Sequence, residues 1–170
     1  MTHDDLVKIA ETHLRGTRRC SVVILDRGGY EIPDAIGWGK HSILIECKTS
    51  LSDFYSDQKK PGRKEPRSFS GMGRERWYLT PKGLINPGRH TLPPRWGLME
   101  TNGRRIKKIV HADIQPEYNR DAEIRMMMSE LQDWNSFSQL IEMPSRTWGD
   151  KYEIANAVNK HKRRHLDTAS

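Results

Sequence analysis

Cysteine is nearly absent. Cys20 and Cys47 are the two in 170 residues, too far apart for a zinc knuckle and too few for a disulfide framework, so each is expected to pack as a small apolar residue in a strand. No apolar run approaches the length of a membrane span and the mean hydropathy is -0.82, which excludes a helical membrane protein. The opening Met1-Thr2-His3-Asp4-Asp5 is acidic and polar, unlike a leader or transit peptide, and the expected location is the cytoplasm, with nucleoid association compatible. Walker loop, dinucleotide fingerprint, nucleophile elbow and internal repeat are all missing, which removes the usual nucleotide-binding and serine-hydrolase readings.

What the chain does carry is positive charge. The net charge is +7 and the pI about 9.5, a balance that favours polyanions over acidic proteins or neutral metabolites. Its densest part follows residue 58: Lys59, Lys60, Arg63, Lys64, Arg67, Arg74 and Arg76 face only Glu65 and Glu75. Pro61, Gly62, Pro66, Gly71 and Gly73 break the same stretch, so it reads as a long loop able to order on a phosphate backbone. Arg104-Arg105, Lys107-Lys108 and the tail Lys160 to Arg164 extend the candidate track. His161 and His165 stand one helical turn apart, but no carboxylate or thiolate accompanies them, so a zinc pair is not expected.

Periodicity lays out the elements. Residues 3–15 form an amphipathic helix, with Thr2 and Asp5 as a capping box and Gly16 as its stop. Cys20–Asp26 and Tyr30–Ile36 read as strands, and Gly37-Trp38-Gly39-Lys40 as the turn into a third, Ser42–Lys48. Ser50 and Asp53 read as a second capping box, opening a helix ended by Pro61-Gly62. Trp77–Thr80, Trp96–Thr101 and Arg104–Val110 are further strands, the last two joined at Asn102-Gly103. The expected fold is α/β (α+β), a mixed β-sheet flanked by helices, with a core over 1–112 and a helical extension with a basic tail over 113–170. Ile124, Met127, Met128 and Leu131 stand at helical spacing, as a packing face or, alternatively, a homodimer seam.

Chemistry concentrates at Pro33-Asp34 and Glu46-Cys47-Lys48, with eleven residues between Asp34 and Glu46. Side chains alternate along a strand, so Glu46 and Lys48 share one face while Ile43, Ile45 and Cys47 take the other. A hairpin brings Asp34 beside Glu46. Two adjacent carboxylates repel unless a cation neutralises them, and magnesium does so while leaving positions for water and phosphate oxygens. Lys48 is placed to orient or deprotonate water, or to balance transition-state charge.

These residues resemble the two signature elements of the PD-(D/E)XK nuclease superfamily, with Cys47 at its usual aliphatic position. Over about Ile32 to Ile109 the chain is more closely similar to the MmcB-like DNA-repair nuclease group. The matching segments are Asp53-Phe54-Tyr55-Ser56-Asp57-Gln58-Lys59, Arg76-Trp77-Tyr78-Leu79-Thr80-Pro81 and Leu92-Pro93-Pro94-Arg95-Trp96-Gly97-Leu98. The departure is Lys60-Pro61-Gly62, where that group has an aromatic residue. The resemblance implies a restriction-endonuclease-like core and a Mg2+ centre, with Mn2+ able to substitute, held by Asp34, Glu46 and the Cys47 backbone carbonyl. It adds Glu11, on the first helix, as a further candidate ligand.

The leading expectation is therefore a metal-dependent nuclease acting on DNA in repair or in mobile-element or phage DNA processing, with Asp34, Glu46 and Lys48 catalytic. Two alternatives stay open. One is a catalytically inactive nuclease fold that binds nucleic acid as an accessory protein. The other is an inhibitor or adaptor that uses Trp38, Trp77, Trp96, Trp134 and Trp148 as contact surface.

Overall fold

Thr2 opens the first helix. Its hydroxyl accepts the Asp5 N–H and the Asp5 carboxylate accepts the Thr2 N–H, closing the capping box. The computed structural model describes residues 1–25, 33–60 and 71–140, the last seven of these by backbone alone. Helix α1, His3–Thr12, passes into a π-helical turn over His13–Thr17 that takes in Gly16, so the glycine does not stop an α-helix at residue 15. The wider turn directs His13 and Leu14 inward together.

Six strands follow in sheet order β1-β2-β3-β4-β5-β6: Val22–Leu25, Ala35–Trp38, Ser42–Cys47, Glu75–Pro81, Gly97–Thr101 and Ile106–Val110. The pairs β3–β4 and β4–β5 are parallel and the rest antiparallel. Helix α2, Leu51–Asp57, lies in the chain between β3 and β4, and α3 spans Arg120–Leu140. This is the mixed sheet flanked by helices that the sequence led us to expect, an α+β arrangement consistent with a restriction-endonuclease-like core. Among the described residues no helix is long and apolar enough to cross a membrane.

Alternation along the strands divides the core in two. Ile43, Ile45, Cys47, Trp77 and Leu79 pack with Leu6, Ala10 and Leu14 of α1 on one face. Leu44, Tyr78 and Leu98 pack with Phe54 of α2 and Met126 of α3 on the other. All six residues of β3 are buried. Glu46 and Lys48 share a face opposite Ile43, Ile45 and Cys47, as expected, but that face is enclosed: Leu44, two residues before Glu46, packs with Phe54 of α2 and Met126 of α3.

The hairpin also differs from its expected form. Gly37 and Trp38 belong to β2, paired with Ile43 and Ser42, and the chain turns over Gly39–His41 instead. Gly37 is a close-approach glycine: a Cβ there would stand 2.9 Å from Cys20 Sγ. Tyr30 to Ile32 lie outside the described residues.

The chain divides into two compact units, Met1–Ser129 and Glu130–Ser170. In the first unit, Glu123 of α3 accepts the Trp38 indole N–H at 3.0 Å and the Gly73 N–H at 2.8 Å. Met126 is buried, while Ile124 and Met128 are exposed. Of the apolar stripe read from the sequence, Met127 packs against the core, whereas Ile124, Met128 and Leu131 are exposed. Trp134, Phe137, Trp148 and the basic tail lie outside the residues described at side-chain level.

Glu75 is a polar anchor at the start of β4. It accepts both ends of the Arg18 guanidinium at 2.8 and 2.6 Å, the His41 imidazole at 2.8 Å and the Trp77 indole at 2.7 Å. Close by, the buried His13 has no hydrogen-bond partner for Nε2. Burial, then Arg18 and Lys108, push the His13 pKa down to about 4. Below about pH 6.5 the unfolded chain binds a proton that the folded chain refuses, so this residue's share of stability falls as pH drops from 6.5 to 4. His13→Leu is expected to flatten that part of the stability-versus-pH curve, measured by urea unfolding at pH 7.5 and 4.5. An unchanged slope would show that His13 is not its source.

Candidate active site

The C-terminal end of β3 and the start of β2 carry the residues singled out by sequence. β2 and β3 run antiparallel with Ala35 opposite Ile45, so one further step of that register sets Asp34 opposite Glu46. Asp34 Oδ2 accepts the Cys47 N–H at 2.6 Å, which fixes the carboxylate against β3 just beyond the last paired residues. Its other oxygen, Oδ1, lies 3.2 Å from His3 Nε2 in the first turn of α1.

Lys48 is the centre of the cluster. Its backbone N–H donates to Leu79 O at 3.0 Å, which continues the β3–β4 pairing. Its side chain is 5% exposed, and Nζ lies 3.0 Å from Glu46 Oε2 and 3.9 Å from Asp34 Oδ2. Two carboxylates from α2 complete the surroundings, Asp57 Oδ1 at 3.6 Å and Asp53 Oδ1 at 4.0 Å. Residues 53 and 57 are one helical turn apart and so present one face of α2. Ser50 holds that helix start by accepting the Asp53 N–H. Tyr78 of β4 donates its hydroxyl to Asp57 Oδ2 at 2.7 Å.

Electrostatics follow from this geometry. Burial disfavours a charged Lys48, but Glu46, Asp57 and Asp34 outweigh it and hold the amine above the ordinary lysine range. With these carboxylates around it, the Lys48 amine is held in its ammonium form. Burial, then Asp34 and Glu46, push the Cys47 thiol far up, so the sulfur is inert and only its backbone has a place in the site.

The remaining candidates are distributed unevenly. Glu11 lies on α1 eight residues beyond His3, about 12 Å along the helix axis. Its carboxylate accepts from Arg15 Nε at 2.9 Å, so it stands apart from the Asp34–Glu46 pair and His3 is the α1 residue that reaches Asp34. Lys59 and Lys60 are exposed at the end of α2, with Lys60 Nζ 2.9 Å from Asp57 Oδ1. Arg63, Lys64 and Arg67 lie outside the described residues.

Arg74 and Arg76 sit at the opposite end of the strands, since Ile43 pairs with Glu75 and Leu44 with Arg76. Arg76 is buried, donates to the Gly73 and Gly71 carbonyls and stacks on Trp96. It is a core residue and not part of a nucleic-acid track, as the sequence had suggested; only Arg74 of the two is exposed.

Two features escaped sequence reading. Asp57 has a visible signal in hindsight, an acidic residue one turn after Asp53 on the same helix face. His3 has none, because its role depends on where α1 lands. Among the described residues, no group of three or more His, Cys, Asp or Glu side chains is gathered to hold a metal ion. The four carboxylates instead surround the ammonium. Asp34 and Glu46 share this one ammonium, and an oxygen pair of that kind is the donor type that Mg2+ takes together with waters.

No family model matches the chain, and no curated protein matches it. Among solved structures, a protein of unknown function from Silicibacter pomeroyi is similar in fold. It is 18% identical, with 88% of this chain and 97% of that chain covered and a TM-score of 0.57. At that identity the similarity concerns the fold alone.

Proposed function

We propose that this chain is a metal-dependent nuclease that hydrolyses DNA phosphodiester bonds. The observation that carries the reading is the buried Lys48 ammonium between Asp34 and Glu46, a cluster of charge gathered where β2 begins and β3 ends. Asp34, Glu46 and the Cys47 carbonyl would hold Mg2+, with Mn2+ able to substitute. When bound, the ion supplies Lewis-acid stabilisation of charge on the phosphate and a more acidic water.

The chain's own residues do the rest. Lys48 contributes a positive charge towards the non-bridging phosphate oxygens, where negative charge grows as the water oxygen adds to phosphorus and the bridging P–O bond breaks; the proton released by that water passes to solvent and the leaving oxygen takes one up from solvent. The Cys47 N–H and His3 hold Asp34 in one orientation. Exposed Lys59 and Lys60, with Arg63, Lys64 and Arg67 beyond them in the chain, supply phosphate contacts. Such an enzyme would work on cytoplasmic or nucleoid DNA, in repair or in processing mobile-element or phage DNA. The resemblance to the MmcB-like group supports the same reading, and the exposed Ile124 and Met128 suit a second copy of the chain.

A second reading draws on one specific observation. Lys48 already neutralises the carboxylate pair, so the site is stable without a divalent ion, as a non-cutting DNA-binding accessory protein would need. The inhibitor or adaptor reading is weaker because Trp77 and Trp96 are buried.

Cleavage of labelled DNA in Mg2+ or Mn2+ separates these readings. The nuclease reading expects cutting by the wild type, and at least a hundredfold loss in Asp34→Ala and Lys48→Ala with DNA affinity kept within about threefold. Retained cutting in both variants would refute this centre, and DNA binding without cutting or ion binding would favour the accessory protein.

A further inference from the structure

Lys48 and a divalent ion want the same oxygens. The ammonium lies 3.0 Å from Glu46 Oε2 and 3.9 Å from Asp34 Oδ2, so an ion held by that pair would face a like charge at close range unless the ammonium leans elsewhere. A lysine has a flexible four-carbon stem and three N–H donors, and can redirect its head group without backbone movement.

The place to lean is α2. Asp57 is 1% exposed; its Oδ1 pairs with the exposed Lys60 Nζ at 2.9 Å and lies 3.6 Å from Lys48 Nζ, just beyond hydrogen-bond length, so a short lean of the ammonium brings it onto an oxygen that can accept from both lysines. The Tyr78 hydroxyl fixes its Oδ2 at 2.7 Å, so the acceptor does not follow the ammonium away. Asp53, one turn earlier on the same face, is 4.0 Å from the same nitrogen. Both come from a helix, whereas Asp34 and Glu46 come from the β2–β3 hairpin, so the ammonium stands between two separately anchored pairs.

We propose that Asp57 is a positioning residue: it draws the Lys48 ammonium off the Asp34–Glu46 pair so that the pair can take a divalent ion while the positive charge stays beside the phosphate. The inference rests on the nuclease reading of that pair. It assigns α2 a part in loading the site, beyond its part in covering the sheet.

Mn2+ binding without DNA, measured by calorimetry on the full chain, tests it. Asp57→Asn keeps a side-chain oxygen for Tyr78 and removes the charge. Its Mn2+ affinity is expected to fall about tenfold or more, with kcat lowered and KM for DNA unchanged. In a Lys48→Met background no ammonium needs to be held aside, and adding Asp57→Asn is expected to cost threefold at most. Unchanged Mn2+ affinity in Asp57→Asn, or the same loss in both backgrounds, overturns the proposal. Should Asp57→Asn not fold, Asp53→Asn replaces it in the same pair of backgrounds. Its expected loss is about threefold with Lys48 present and none without it, and equal values overturn the proposal. A wild type that binds no Mn2+ at millimolar levels sinks the metal reading itself, whereas Mn2+ binding indifferent to Asp57 sinks only this one.

Discussion

Lys48→Met should abolish cutting and destabilise the metal-free protein by about 3 to 5 kcal/mol, and a divalent ion should then restore much of the lost stability. The reasoning is electrostatic. Glu46 and Asp57 are each 1% exposed and share the Lys48 ammonium; removing it leaves Asp57 with Lys60 but takes from Glu46 the ammonium 3.0 Å away in a buried setting. Methionine fills much the same volume, which isolates the charge effect from a cavity effect. In the wild type, Mn2+ must compete with the ammonium; in the variant it replaces it. The midpoint of thermal unfolding should therefore rise more with Mn2+ in Lys48→Met than in wild type. Equal shifts would show that the ion does not occupy this cluster.

Glu75→Gln is the second large effect, and it concerns stability alone. The variant keeps the side chain's shape but leaves Arg18, whose side chain is 19% exposed, without its bidentate partner, and weakens the His41 and Trp77 contacts. A loss of about 2 to 3 kcal/mol is expected, because the variant weakens charge-assisted hydrogen bonds within a partly buried pair. Arg18→Met should cost a similar amount, and the double variant clearly less than the sum, by urea unfolding.

Acid should mimic part of the Glu75 change. Burial opposes the Glu75 charge, but hydrogen bonds from Arg18, His41 and Trp77 prevail and bring its pKa down to about 2. A carboxyl depressed in the folded state contributes its stability above the unfolded value near 4.5, and that share is lost as pH falls from there towards 2. It amounts to roughly 3 kcal/mol. Additive loss in the Arg18 and Glu75 double variant, or equal acid sensitivity in wild type and Glu75→Gln, would contradict this anchor.

Local chemistry made much of this molecule readable. The Thr2–Asp5 capping box, the Ser50 cap, the apolar run of β3 and the Asn102-Gly103 hairpin each act through neighbours in sequence, and each is present. Asn102 Oδ1 accepts the Arg104 and Arg105 N–H groups, and Gly103 takes a positive φ, as that turn requires. That a hairpin brings Asp34 near β3 was legible, but its register was not: a turn over residues 37–40 would set Asp34 nearer Ile43, and it is the turn over Gly39–His41 that brings it opposite Glu46.

What failed was tertiary. Gly37 looked like a turn glycine, but its reason is the Cys20 side chain across the packing interface. Arg76 looked like a solvent-facing charge in a basic run, but two glycine carbonyls and the Trp96 ring hold it in the core. Glu11 had the composition of a ligand and the wrong place along its helix, while His3 had the place and no sequence signal. Asp57 illustrates the middle case: its spacing from Asp53 was visible, yet that both carboxylates would converge on Lys48 depended on how α2 packs over β3 and β4.

The central claim is that Asp34 and Glu46 share one divalent ion. Crystals soaked in Mn2+ test it through the anomalous signal of the metal. One peak is predicted in contact with both carboxylates and the Cys47 carbonyl, absent from Asp34→Asn. A map empty at that position in crystals of a protein that still cuts DNA would contradict it.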